Sequence, residues 1–392
     1  MNFITDLDVK GKLVFLRVDF NVPLDDKGEI RDDTRIRACL PTIAWLLERG
    51  ARLVLASHLG RPKGKVDPAM SLKPAAGRLA QLVPNKVLMA PDVVGDEVAR
   101  LKRDLGEGEA LLLENVRFYK EEEKNDAEFA HQLAEGIDIF VNDAFGSSHR
   151  AHASVVAITD FVPVKAAGYL MKKEVDYLKK AIHTPVKPYV AILGGAKVSD
   201  KIEIIESLLG KADHILIGGA MTYTFLKAQG LGVGKSLVED DQIEVALVIL
   251  DKARTNAVSF HLPQDHVLAS APEAGAAVKV VEALPFPEDM QGVDIGPKTV
   301  SGYAAVIATA KTIFWNGPMG IFEIDAFAQG TIGIAKAVAA SNAISIVGGG
   351  DSIAAVKKAG VRDKISHIST GGGASLEYVA YETLPGITAL EK

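Results

Sequence analysis

Short, almost uniformly apolar runs alternate with longer amphipathic stretches along this sequence, and that rhythm leaves few architectures open. Residues 12–18, 52–56, 86–89, 110–113 and 137–141 read as strands, and the pattern resumes at 189–193, 214–217, 312–315, 343–347 and 366–368. Between them, apolar residues recur at helical spacing over 35–49, 72–82, 125–134, 240–253 and 327–340. Strands alternating with helices build parallel sheets covered by helices, and near-continuous apolar strands are those buried on both faces. The expected fold class is α/β: two Rossmann-like lobes, each a parallel sheet with helical cover. The rhythm breaks once, where a lysine-bearing helical pattern over 168–181 is followed by Pro185 and Pro188, which disfavour its continuation. The expected organisation is a first domain over 1–170, an interdomain helix and linker over 171–186 acting as a hinge beside a cleft, and a second domain over 187–378.

Composition supports this and narrows the functions. At 392 residues the chain has room for two domains of about 100–200 residues each. A formal net charge of −6 argues against general nucleic-acid binding, which needs a basic face, but leaves room for a local basic pocket. One cysteine, Cys39, cannot form an intrachain disulfide, and the charged opening MNFITDLDVKGK lacks the apolar run of a signal peptide. No run reaches about 18 apolar residues, so no spanning helix is expected and a cytoplasmic protein is read.

In open parallel sheets, ligands sit beyond the carboxyl ends of the strands. In the second half, the residues just past the strands are repeatedly glycine: Gly194-Gly195-Ala196-Lys197, Gly218-Gly219-Ala220, Asn316-Gly317-Pro318, Gly348-Gly349-Gly350-Asp351-Ser352 and Thr370-Gly371-Gly372-Gly373. Glycine lets backbone N–H groups approach phosphate oxygens, and a helix N-terminus adds a favourable dipole. Any one loop could be only a tight strand-to-helix turn; five in one half favour a nucleotide site. Lys197 and Lys201, four apart, are expected to bracket a helix start on a shared face. Two fingerprints fail. Gly230–Ser236 resembles a P-loop but has Gln229 where the first glycine belongs, and both triple-glycine runs miss G-x-G-x-x-G, with Ile353 and Leu376 in the third slot.

The first half carries cations in the equivalent loops: Asp19-Phe20-Asn21, then His58-Leu59-Gly60-Arg61, then Arg117, then His149-Arg150 with His152, and Arg35 opening a helix. Arginine suits bidentate capture of carboxylate or phosphate. Singly each could be a surface ion pair, with Asp32 or Asp33 as the obvious partner for Arg35; together they suit a small polyanion. Asp19 and Asn21 add acceptors for a hydroxyl, and His152 reads as a residue that backs the ligand-binding groups or packs. No nucleophile triad or metal-ligand spacing stands out. The bottom-up reading is a phosphotransferase with an anion lobe, a nucleotide lobe and a hinge.

The segments Arg17–Pro23, Ser57–Pro62, Leu112–Phe118, Asn142–Gly146 with His149–His152, Gly194–Val198 with Asp200-Lys201, Trp315–Pro318, Gly348–Asp351 and Thr370–Ala374 resemble, in order, the signature set of phosphoglycerate kinases. The resemblance implies reversible phosphoryl transfer between ATP and 3-phosphoglycerate, giving ADP and 1,3-bisphosphoglycerate. It implies a 3-phosphoglycerate site of Asp19, Phe20, Asn21, Arg35, His58, Leu59, Gly60, Arg61, Arg117 and Arg150. The nucleotide site would hold Gly195, Lys201, Gly219, Asn316, Glu323, Gly349, Gly350, Asp351 and Ser352, with Asp351 at Mg²⁺. Arg35, Lys197, Lys201, Gly371 and Gly372 would attend the transferring group, and Gly373 completes that loop. The resemblance also implies a C-terminal tail, 379–392, that returns to the first domain, and a monomer is expected. Ser352 stands where threonine is common, and Ser147-Ser148 where Thr-Ala is. Two rivals remain: a dehydrogenase, which NAD binding would reveal, and a non-catalytic nucleotide-binding module, which would bind ADP without turnover.

Overall fold

The computed structural model of the chain describes residues 1–282 and 285–392. It divides into two compact units, Met1–Asp176 with Thr383–Lys392, and Tyr177–Glu382.

In the first unit, strands β1 (Leu13–Arg17), β2 (Arg52–Ala56), β3 (Val87–Met89), β4 (Ala110–Leu112), β5 (Ile139–Asn142) and β6 (Val164–Ala167) form one sheet in the order β3-β4-β2-β1-β5-β6. All of its pairings are parallel. Every residue of β1 is buried, as the unbroken apolar run requires of a central strand. The helix Thr34–Glu48 lays Ile36, Cys39, Ile43 and Leu46 against Val14, Leu16, Leu53 and Leu55. Each large aliphatic side chain so buried contributes about 1.5–3 kcal/mol. The C-terminal segment joins this unit: Gly386 N donates to Ser148 O at 2.8 Å, and Leu384, Ile387 and Leu390 are buried.

In the second unit, β7 (Tyr189–Leu193), β8 (His214–Ile217), β9 (Ser259–His261), a separate trio β10 (His266–Ala269), β11 (Val278–Val281) and β12 (Gln291–Ile295), then β13 (Thr312–Asn316), β14 (Ile344–Gly348) and β15 (His367–Ile368) succeed one another in chain order. Six of them form a parallel sheet, β15-β14-β13-β7-β8-β9, and the trio forms an antiparallel sheet, β11-β10-β12. The α/β expectation holds for both six-stranded sheets. The antiparallel trio and the edge strands β6 and β9 are additions to it. These are short, and residues such as Lys279, Gly292 and Asp294 interrupt their apolar character, so they lack the pattern that marked the central strands. The helix Tyr169–Ile182 carries the chain from the first unit into the second.

Candidate active site

Three loops at the carboxyl edge of the first sheet are tied to one another by side chains. Phe20 N donates to Ser57 Oγ at 2.8 Å, joining the loops after β1 and β2. Gly60 N donates to Asn21 Oδ1 at 2.9 Å. That bond uses one lone pair of the Asn21 carbonyl and fixes the orientation of its amide. Asn115 caps the short helix Val116–Phe118, accepting from Arg117 N at 3.1 Å, while its Nδ2 donates to Leu59 O at 2.7 Å. Arg117 Nη1 then donates to Gly60 O at 2.9 Å. Phe20 and Leu59 have side chains in the hydrophobic core, so only their main chain can meet a ligand.

Arg35, in the first turn of its helix, donates to Asp19. The alternative reading, a surface ion pair, would give it Asp32 or Asp33; Asp33 takes Arg78 at 2.8 Å and Arg37 at 3.0 Å. Arg61 and Arg150 are exposed, Arg150 Nε donating to His149 Nε2 at 3.1 Å. Burial, and then neighbouring guanidinium groups, hold three histidines below their usual range: His58, beside Arg17, Arg117 and Arg35, well below it; His149, beside Arg150, below it; and His152, beside Arg117, Arg17 and Arg150, down to about 3. At neutral pH the positive charge of this face is carried by arginine, and the histidines are neutral hydrogen-bonding groups. His152 is buried with Nδ1 3.7 Å from Glu122, in keeping with a packing role.

In the second unit all five glycine loops come directly after strands of the parallel sheet, at its carboxyl edge. They pack backbone on backbone. Gly317 has φ +93°, and a Cβ there would overlap the Gly194 carbonyl; Gly219 has φ +70°, and a Cβ there would overlap Gly195. Asn316, the last residue of β13, links them: its Oδ1 accepts from Lys201 Nζ and its Nδ2 donates to Gly348 O at 2.7 Å. Ser352 Oγ accepts from Gly317 N at 2.6 Å. Burial lowers the Lys201 pKa, opposed by Asp200 and Asp351.

Lys197 and Lys201 do not share a helical face. The helix is Ile202–Leu208, Lys201 is its N-cap, and Lys197 lies in the preceding turn, exposed. A glycine pair before it favours a turn over an extra helical turn. That turn is held by Glu239, which sequence reasoning missed: its carboxylate accepts from Val198 N at 2.6 Å and from Ser199 Oγ at 2.6 Å. At the helix Gly350–Lys358, Gly349 occupies the N-cap and Asp351 sits in the first turn with its carboxylate exposed. Glu323 is exposed too, while Gly371 is buried and Gly372 and Gly373 are not. The P-loop lookalike ends in an irregular segment with no helix at Ser236, whose hydroxyl accepts from Gly292 N at 2.9 Å.

Comparison with known proteins agrees with this geometry. The family model described as phosphoglycerate kinase matches residues 4–382. A phosphoglycerate kinase of Solibacter usitatus is 59% identical over 393 residues, 99% of each chain. The cytosolic phosphoglycerate kinase of Triticum aestivum is 55% identical over 390 residues, 99% of this chain and 97% of that one. The structure of phosphoglycerate kinase from Coxiella burnetii superposes with a TM-score of 0.90 at 42% identity, covering 99% of this chain and 98% of that one. Two parallel six-stranded sheets, an arginine-rich edge on one, a glycine-rich edge on the other, and this similarity along the whole length make the chain a member of the phosphoglycerate kinase family.

Proposed function

We propose that the arginine-rich edge of the first unit binds 3-phosphoglycerate and the glycine loops of the second bind ATP or ADP. The chain is a kinase of this family, whose reaction is reversible transfer of a phosphoryl group from ATP to the carboxylate of 3-phosphoglycerate. The observation that carries the assignment is that both clusters lie at the carboxyl edges of parallel sheets, where such folds take ligands. Arg61, Arg117 and Arg150 supply guanidinium groups for the phosphate, Asn21 and His58 donors for the carboxylate and hydroxyl.

Phosphoryl transfer depends on positioning and charge neutralisation more than on covalent chemistry. The acceptor carboxylate is already a nucleophile, so no general base is needed. Arg35, Lys197, Lys201 and the N–H groups of Gly371 and Gly372 would spread the charge of the moving group. Asp351 is an exposed carboxylate with no side-chain hydrogen bond or ion pair among the described residues, beside glycine amides and within electrostatic reach of Lys201. A lone carboxylate suits Mg²⁺, which keeps one or two such ligands and takes the rest from phosphates and water. Bound there, Mg²⁺ would neutralise nucleotide phosphate charge. Phosphoryl transfer competes with hydrolysis, so the reaction favours a site that excludes water. A cytoplasmic monomer acting on small molecules completes the reading; no helix among the described residues is long and apolar enough to cross a membrane.

The test is a coupled assay with Mg-ATP and 3-phosphoglycerate. ADP release that depends on 3-phosphoglycerate is the expected result. ADP binding with no turnover would leave only a nucleotide-binding module.

A further inference from the structure

Arg17 is the basic side chain that the ligand loops do not account for. It ends β1 and is completely buried. A buried ion is costly unless it is hydrogen-bonded, and each of its three nitrogens has a partner. Nε donates to Ser154 Oγ at 2.8 Å, Nη1 donates to Val18 O, and Nη2 lies 3.3 Å from His58 Nδ1. Ser154 Oγ donates onward to Glu122 Oε1 at 2.6 Å, and Ser154 N to Glu122 Oε2 at 2.9 Å. Glu122 is fully buried as well and supplies the countercharge. A hydroxyl has a single proton. Ser154 gives its proton to the carboxylate, so its oxygen is left to accept from Arg17. The direction of every hydrogen bond from Glu122 to Arg17 is thereby fixed.

One step more reaches the ligand face. A guanidinium has donors and no acceptor, and a neutral imidazole has one nitrogen of each kind. The ring nitrogen facing Arg17 must be the acceptor, and the proton must sit on the other. We propose that Arg17 is a positioning residue that locks His58 in the Nε2–H tautomer, so that His58 presents a fixed, uncharged donor to the acceptor substrate. The substrate half of this rests on the placement of 3-phosphoglycerate given above. His58 Nε2 has no protein partner among the described residues and is not sealed in the core.

The surroundings favour the same state. The charged groups that face His58 are Arg17 on β1, Arg117 on the helix Val116–Phe118 and Arg35 on the helix Thr34–Glu48, with His152 nearby. Burial and these three cations oppose a charged ring. An imidazolium would also turn an N–H against the Arg17 donor. The lock therefore excludes both the Nδ1–H tautomer and the protonated ring.

The test starts with the unaltered full-length protein labelled with ¹⁵N-histidine, observed by long-range ¹H–¹⁵N correlation between about pH 5 and 8, the range where an ordinary histidine titrates. The expected result is a proton on His58 Nε2, an acceptor-type Nδ1 and no titration. A proton on Nδ1, or a ring that charges in this range, overturns the lock. Adding 3-phosphoglycerate should shift the Nε2–H signal. If the tautomer is as proposed but this signal does not move, the lock stands and the substrate placement fails. Kinetics supply the second arm. Arg17→Lys should raise KM for 3-phosphoglycerate about tenfold, or about 1.4 kcal/mol, with kcat much less affected. In a His58→Gln background, where an amide donor needs no tautomer, the same change should cost far less. An equal penalty in both backgrounds overturns the positioning role. If Arg17→Lys does not fold, Ser154→Ala, which leaves Arg17 Nε without its acceptor, replaces it in the same cycle.

Discussion

Arg35, in the first turn of the helix Thr34–Glu48, donates to the Asp19 carboxylate just after β1. The side chain of Arg35 is 36% exposed and that of Asp19 only 9%. The pair aims a guanidinium over the loop that also carries Asn21, instead of leaving it on the acidic surface at Asp32 and Asp33.

Because Asp19 is nearly buried, losing Arg35 lowers stability whatever its role, and kinetics must separate a structural arginine from a catalytic one. A catalytic Arg35 shows itself in kcat. Its strongest contact would form as the phosphoryl group moves, so kcat should fall more than KM rises. By analogy with arginine fingers, Arg35→Ala should cost on the order of 10³-fold in kcat. Arg35→Lys should restore little, since an ammonium cannot make the planar two-pronged contact. Kinetics for both substrates, with melting temperature as the folding control, decide it. Two folded variants keeping kcat within about threefold, roughly 0.7 kcal/mol of barrier, would remove Arg35 from the catalytic set.

The central strands were legible because burial on both faces makes them unbroken apolar runs; 52–56, 189–193 and 214–217 coincide with β2, β7 and β8. The trio β10–β12 was not, because a short antiparallel sheet with exposed positions such as Val278 and Val280 carries no such run. The glycine turns were readable as a set because all five come after strands. Their fastening was not: Glu239 reaches Val198 across 41 positions, and Asn316 reaches Lys201 across 115. Ser154 and Glu122 behind Arg17 were equally hidden, though an arginine closing an apolar strand was itself a visible signal.

Gly219→Ala tests whether the glycine turns are structural necessities of the nucleotide edge. The φ of +70° costs a non-glycine residue on the order of 1–3 kcal/mol, and the new methyl group would meet the Gly195 backbone. The two loops must part, so ADP affinity should fall along with the melting temperature, while 3-phosphoglycerate binding holds. Calorimetry with each ligand measures this; unchanged ADP affinity would show that the loops can separate without consequence.

Asp294 should impose a pH dependence on stability. It is buried, accepting from Gly330 N at 2.6 Å and Ile295 N at 2.9 Å, and burial raises its pKa to about 7 from an ordinary 3.8 despite these bonds. The folded state then binds more protons than the unfolded state between about pH 4 and 7, so stability falls as pH rises through that window. Asp294→Asn cannot titrate. The stability of the unaltered protein relative to this variant should decline by on the order of 2–4 kcal/mol across the window and level off above it. Urea unfolding of both proteins at several pH values gives the difference, in which contributions common to both, such as His152, cancel. A flat difference would mean that Asp294 ionises normally in the fold.

Asp351 separates a metal role from a structural one, because the helix it begins does not depend on it for capping. Gly349 holds the N-cap position with φ +92°, and Asp351 lies in the first turn with an exposed carboxylate. Its charge favours the helix dipole by about 0.3–1 kcal/mol at most, so Asp351→Asn should melt close to the unaltered protein. Asparagine keeps the size and a neutral oxygen but removes the charge that a hard divalent cation selects. The Mg²⁺ concentration for half-maximal activity should then rise by on the order of tenfold, and ADP titrated with EDTA present should bind the two proteins alike. This last comparison isolates the ion. If ADP affinity drops equally with and without Mg²⁺, the carboxylate acts on the nucleotide directly. If Asp351→Asn is fully active at limiting Mg²⁺, the carboxylate is not the ligand that holds the ion on the nucleotide phosphates.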